Sequence, residues 1–99
     1  LYVTYPSADA ARAAATALLD ARLAACCNIL PAMESHYRWE GSTTSASEYV
    51  MLVKTTAART EAACARIAEL HPYQCPAILT LSASAMPAFA AWIDGTCTS

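Results

Sequence analysis

Charge is what this chain has least of: 14% of its 99 residues are Asp, Glu, Lys or Arg, against roughly 25% in ordinary soluble domains. Six Lys and Arg face eight Asp and Glu, for a net charge of −2. Basic residues so few and so scattered form no stripe along a phosphate backbone, which argues against nucleic acid as a partner. Only two glycines occur, so no glycine-rich loop is available to cradle a phosphate. No Ser-His-Asp arrangement, H-E-x-x-H or C-x-x-C is present, and nothing positive argues for catalysis. No apolar run approaches the roughly 18 residues of a membrane span, although 57% of the chain is hydrophobic and the mean hydropathy is +0.31. Alanine, about a quarter of the residues, inflates those two figures, but the shortage of charge is separate. A domain this small and this poor in charge is expected to hide part of its surface against copies of itself.

The length fits one domain over residues 1–99. Its five cysteines, Cys26, Cys27, Cys64, Cys75 and Cys97, are odd in number and unpaired by spacing, which points to a reducing, cytoplasmic setting. Leu1 is not a start methionine. Residues are therefore expected upstream, and the sequence neither shows nor excludes a targeting segment there.

Periodicity predicts the order of elements. A short β-branched run, 1–5, ends at Pro6, and Ser7 or Asp9 caps an Ala-rich helix to about Ala24, with Ala11, Ala15, Leu18, Leu19 and Leu23 on one face. Segments 26–39 and 46–56 read as strands flanking a loop at 41–45, and Pro31 marks a bulge or an edge in the first of them. Met33, Ser35, Tyr37 and Trp39 share one face of that strand, while Glu34, His36 and Arg38 share the other. Thr56 caps a helix over 57–70 with Ala63, Ile67 and Leu70 inward, stopped by His71-Pro72. Residues 77–82 read as a strand, and Pro87 opens a last helix bearing Phe89, Trp92 and Ile93, ended by Gly95. The order β-α-β-β-α-β plus a C-terminal helix predicts an α+β, ferredoxin-like split β-α-β sandwich with a long central hairpin.

Length adds a physical argument. A strand over 26–39 would reach roughly 46 Å at ~3.3 Å per residue, whereas a domain of this size has a diameter of about 33 Å. The hairpin must bend or project, exposing Tyr37, Trp39 and Tyr49 and an unpaired strand edge. Both are liabilities unless a neighbouring subunit covers them.

Each candidate for chemistry has a plain alternative. Lys54, the single lysine, either snorkels to the strand end with Glu34 or Glu48 as counter-ion or binds a ligand. Glu34, His36 and Arg38 form a solvated or subunit-bridging face, or part of an anion or metal site. His71 terminates a helix, and with Cys75 four residues on it makes the best local metal or nucleophile pair. Cys26 and Cys27 point to opposite faces of a strand, so they do not grip one metal together, and Cys64 reads as core filler.

Taken together, Leu23-Ala24-Ala25-Cys26, Asn28-Ile29-Leu30-Pro31, Tyr37-Arg38-Trp39-Glu40-Gly41, Glu48, Leu52-Val53-Lys54-Thr55-Thr56, His71-Pro72-Tyr73-Gln74 with Pro76, and Trp92-Ile93 resemble the divalent-cation tolerance proteins called CutA. The resemblance runs from Val3 to Ile93. It implies a tight homotrimer in which long hairpins extend sheets across subunits, an architecture like that of the nitrogen-regulatory PII proteins. It also implies a non-enzymatic role in tolerance of copper and other divalent metals, and in an animal branch a link to acetylcholinesterase anchoring. By matching positions, an intersubunit cleft would involve Glu34, Tyr37, Trp39, Lys54, His71 and Tyr73.

The departures bear on metal. Val3 stands where the family has a candidate cysteine ligand, Leu70 replaces one histidine of a pair, and Ala77 replaces a carboxylate. One imidazole per subunit leaves His71, with help from Cys75 or Cys26, as the metal candidate. The expectation is no required cofactor and weak or no stoichiometric binding of copper or another divalent ion. The alternative is a PII-like trimeric sensor or scaffold whose cleft takes a small anionic metabolite through Lys54 and His71, or a protein partner.

Overall fold

The structure, a computed structural model, describes residues 1–98. Its elements are β1 (Tyr2–Tyr5), α1 (Ala8–Asp20), β2 (Cys26–Trp39), β3 (Ser42–Lys54), α2 (Ala57–Leu70), β4 (Ile78–Leu79) and α3 (Pro87–Cys97). The sheet order is β2-β3-β1-β4 with every neighbouring pair antiparallel. This is the expected ferredoxin-like α+β arrangement.

Local chemistry sets most of the boundaries. Ser7 caps α1 by accepting from the Ala10 N–H at 3.2 Å. The helix stops at Asp20 rather than Ala24 because Arg22 enters the left-handed region at φ 57°. The Arg22 and Leu23 N–H groups then turn back to the Leu19 and Leu18 carbonyls, the two bonds of a Schellman stop. Thr56 caps α2 through the Arg59 N–H, and His71 leaves it in extended conformation ahead of Pro72. Gly95 does not end α3, which runs on to Cys97; glycine breaks a helix only where a left-handed turn follows, and none follows here.

The core lies on one face of the sheet. Val3, Tyr5, Met51 and Val53 meet Ala11, Ala14 and Leu18 of α1 and Ala63 and Ile67 of α2. Alanine at these contacts brings the helices close to the strands. Ala14 takes the inward place expected of Leu19, and Leu19 and Leu70 are both exposed. Cys64 is half-buried rather than core filler, with its Sγ 3.9 Å from Thr80 Oγ1.

The hairpin of β2 and β3 carries the molecule to a longest dimension of 44 Å, against 25 and 20 Å across. Its connection is shorter than the expected five-residue loop. Trp39 pairs with Ser42, and Glu40 and Gly41 sit at φ 49° and 81°, the two left-handed positions of a tight hairpin turn. Consequently β3 begins at Ser42 and ends at Lys54, not at Ala46 and Thr56.

At Pro31 the ladder jumps from Leu30↔Val50 to Met33↔Glu48, so Pro31 and Ala32 oppose Tyr49 alone. Ala32 takes φ 62°. The one extra residue reverses the pleat. Cys27 and Ile29 pack against the core, whereas Met33, Ser35, Tyr37 and Trp39 beyond the bulge line the opposite face. Proline is tolerated because β2 is an edge strand. At the other edge β4 is only two residues long, and Thr80 to Met86 lie outside the ladder with Leu81 and Met86 strongly exposed.

Candidate functional site

The sheet face without helices holds a cavity of about 620 Å³. Tyr2 and Thr4 of β1 and Glu48 of β3 form its floor, the post-bulge residues of β2 one wall, and Tyr73, Gln74, Cys75 and Ala77 the other. Glu48 is 8% exposed, and its Oε2 accepts a hydrogen bond from the Tyr73 hydroxyl at 2.8 Å. Burial, and then the bond to the Glu48 carboxylate, push the Tyr73 phenol up to about 12. It therefore stays protonated and keeps donating.

His71 stands behind this wall. It is buried and stacked on Tyr5, with ring centroids 4.4 Å apart and planes 19° from parallel, and it tilts against Tyr73 at 5.0 Å. Its Nε2 lies 2.7 Å from the Thr4 carbonyl, and its Nδ1 accepts the Tyr73 N–H at 3.1 Å. A carbonyl only accepts and an amide N–H only donates, so the proton belongs on Nε2 and neither nitrogen has a lone pair to spare. In this arrangement His71 fastens the Tyr73 segment to β1 and thereby aims the phenol at Glu48.

The other expected site residues are dispersed. Tyr37, Trp39, Tyr73 and Cys75 line the cavity. Glu34 projects from the other face of β2, 2.6 Å from His36 Nε2, with both side chains exposed. Lys54 lies opposite Cys26 in the ladder, six residues along β3 from Glu48, or ~20 Å at strand spacing. Neither Glu34 nor Glu48 serves as its counter-ion, because each has another partner. Cys26 shares the Lys54 end of the sheet, with its Sγ 4.0 Å from Asn28 Oδ1, far from Cys75. Among the described residues no three His, Cys, Asp or Glu side chains converge as a metal set, and all five cysteines are free thiols. Burial, and then the neighbouring Cys26, push the Cys27 thiol up to about 11, which makes it a poor nucleophile.

Sequence reasoning missed Glu48 as part of the site and treated it as a partner for Lys54. The available signal was a single carboxylate abutting the apolar run 49–53, where only burial with a partner makes sense.

Comparison with known proteins agrees with this fold and these motifs. Residues 1–96 match the family described as CutA1 divalent ion tolerance protein. The chain belongs to the CutA1 family. It is 44% identical to the divalent-cation tolerance protein CutA of Thermus thermophilus, over 80% of this chain and 77% of that one. It is also 36% identical to the chloroplastic CutA of Arabidopsis thaliana, over 82% of this chain but 44% of that longer protein. Among solved structures, the periplasmic divalent cation tolerance protein CutA of Archaeoglobus fulgidus superposes with a TM-score of 0.94 at 35% identity, covering 98% of this chain and 95% of that one. CutA1 of Ehrlichia chaffeensis gives 0.93 at 31% identity, over 99% and 92%. CutA relatives are thus named from more than one compartment. In this chain no helix among the described residues is long and apolar enough to cross a membrane.

Proposed function

We propose that the chain is a non-enzymatic, cytoplasmic homotrimer serving tolerance of divalent metals, copper among them, with the open-face cavity as a cleft completed between subunits. The observation that carries the assembly is the unfinished hairpin. β2 is an edge strand along its whole length, Tyr37 and Trp39 near its tip are exposed, and at the opposite edge β4 is two residues long with Leu81 and Met86 exposed beyond it. One copy's free edge supplies what another lacks, since backbone donors and apolar rings are both costly to leave in water. The metal role rests on the CutA relatives, which are named for divalent-cation tolerance. Five free thiols suit a reducing compartment.

Within this reading metal binding by one subunit is weak, because the His71 nitrogens are occupied and, of the three metal candidates, Cys75 alone lines the cavity. Light scattering is expected to give three times the 10.5 kDa chain mass at every concentration, and a monomer would sink the assembly. Copper titration followed by calorimetry is expected to show no tight stoichiometric binding. Saturable one-to-one binding abolished in His71→Ala would overturn the occupied-imidazole argument.

A second reading, a PII-like trimeric sensor or scaffold with a ligand in the same cleft, is favoured by the size of the cavity, which is in the range of small-molecule sites. The two readings separate on whether purified protein responds to a small organic ligand or to metal alone.

A further inference from the structure

The sequence suggested an anionic ligand held by Lys54 and His71, but the distribution of charge in the cleft has the opposite sign. We propose that the cleft binds a small organic cation, an ammonium group on an apolar body, with Glu48 as its counter-charge. The proposal rests on reading the cleft as a ligand site.

Glu48, 8% exposed, is the carboxylate of the cavity floor. It pairs with no cation among the described residues, and Oε1 receives no hydrogen bond there. Oε1 is open to the cavity, since among the described residues the Tyr5 hydroxyl alone is a buried polar side-chain atom without a partner. A cation entering the cavity completes the pair.

The walls suit such a guest. Tyr2 and Tyr37 line the cavity on the Glu48 face; the Tyr2 hydroxyl reaches Met33 Sδ at 3.5 Å, opposite Glu48, and neither ring is stacked on another among the described residues. Tyrosine ring faces on the same sheet face as a carboxylate attract weakly hydrated organic cations. Arg38 is the sole cation in the lining. It sits opposite Thr43, five residues from Glu48 along β3, or ~17 Å at strand spacing.

Other ligands fit less well. An anion would meet the Glu48 carboxylate, while Lys54 lies ~20 Å away by register and both His71 nitrogens are engaged. A bare divalent ion needs several convergent donors, and no such set converges among the described residues. Tyr73, fixed from behind by His71, holds the carboxylate in place for the guest.

The test uses the assembled full chain and titration calorimetry. The probes are phenethylammonium and its anionic counterpart phenylacetate. Phenethylammonium is expected to bind saturably, and Glu48→Gln to weaken that binding at least tenfold. Circular dichroism should be unchanged in Glu48→Gln, because glutamine still accepts from Tyr73. Lys54→Gln is expected to leave amine binding intact. If phenylacetate binds as tightly as the amine, the sign is wrong although the cleft remains a ligand site. If neither probe acts on folded, assembled protein, the ligand-site reading itself fails. If Glu48→Gln instead lowers the assembled mass and the amine does not bind, Glu48 belongs to a cation from a second copy, and the proposal is overturned.

Discussion

On the helix-covered face of the sheet, Val3, Tyr5, Met51 and Val53 are closed over by α1 and α2 and water is excluded. On the other face, alternate residues of the same strands, Tyr2, Thr4 and Glu48, look into an open cavity with Trp39 half-exposed at its wall. One pleated sheet thus presents a finished surface and an unfinished one. The first carries stability within a single chain. The second carries the recognisable chemistry and depends on something outside the chain, whether another copy or a ligand.

That contrast can be broken by mutation. The largest effect is expected from Leu18→Ala, which opens a cavity in the closed face and should cost about 3 kcal/mol, read as the urea midpoint at constant m-value. Ala11→Leu asks the opposite question. Fully buried against the sheet, it has no room for three more carbons, and overpacking should cost about 2 kcal/mol. A neutral result would mean that α1 is not seated as closely as its alanines suggest.

A smaller, favourable change is expected at Tyr5. Its hydroxyl is buried without a hydrogen-bond partner among the described residues, so Tyr5→Phe should stabilise the protein by about 1 kcal/mol while keeping the stack on His71. The same variant tests a pH effect. Burial pushes the Tyr5 phenol up to about 12 from an ordinary value of 10. Between these values the unfolded chain releases the proton while the folded one retains it. Stability is therefore unaffected below about pH 10 and falls as pH rises toward 12. Tyr5→Phe should flatten that alkaline decline, and Tyr73 and Cys27, which shift in the same direction, should account for what remains. An unchanged decline in chemical denaturation from pH 9 to 12 would show that Tyr5 is not the titrating group.

The smallest effect on the fold of one chain is expected from Trp39→Ala, although it deletes the largest side chain of the four. Stability should change by under about 0.5 kcal/mol, as for a surface site. A loss comparable with that of Leu18→Ala would erase the distinction between the faces. A loss that grows on dilution would sharpen it, because it would identify a second copy as the cover.

Much of the fold was legible because it depends on local signals. Ser7 and Thr56 capped helices where expected, Pro72 and Pro87 bounded them, and Pro31 marked a bulge on an edge strand. The errors were also local. Arg22 takes a left-handed conformation usually left to glycine, so the end of α1 was invisible. The Glu40-Gly41 turn looked longer because Ser42 to Ser45 resemble loop residues. The cleft was less legible. Tyr37, Trp39 and Tyr73 were named, but Glu34 and Lys54 lie elsewhere and Glu48 was assigned to the wrong partner.

The amino-acid sequence by itself determined the order of elements, the family and the shortage of surface charge, since periodicity, caps and motif spacing are properties of neighbours along the chain. Only the tertiary structure decided which residues share the cleft. A single extra residue at Pro31-Ala32 reverses the pleat of β2 and puts Tyr37 and Trp39 on the same sheet face as Glu48. A hydrogen-bond relay from Thr4 through His71 to Tyr73 spends the one buried imidazole on positioning. Both outcomes depend on which strand lies beside which, and so the charge facing the cavity is negative where the list of candidate residues had suggested positive.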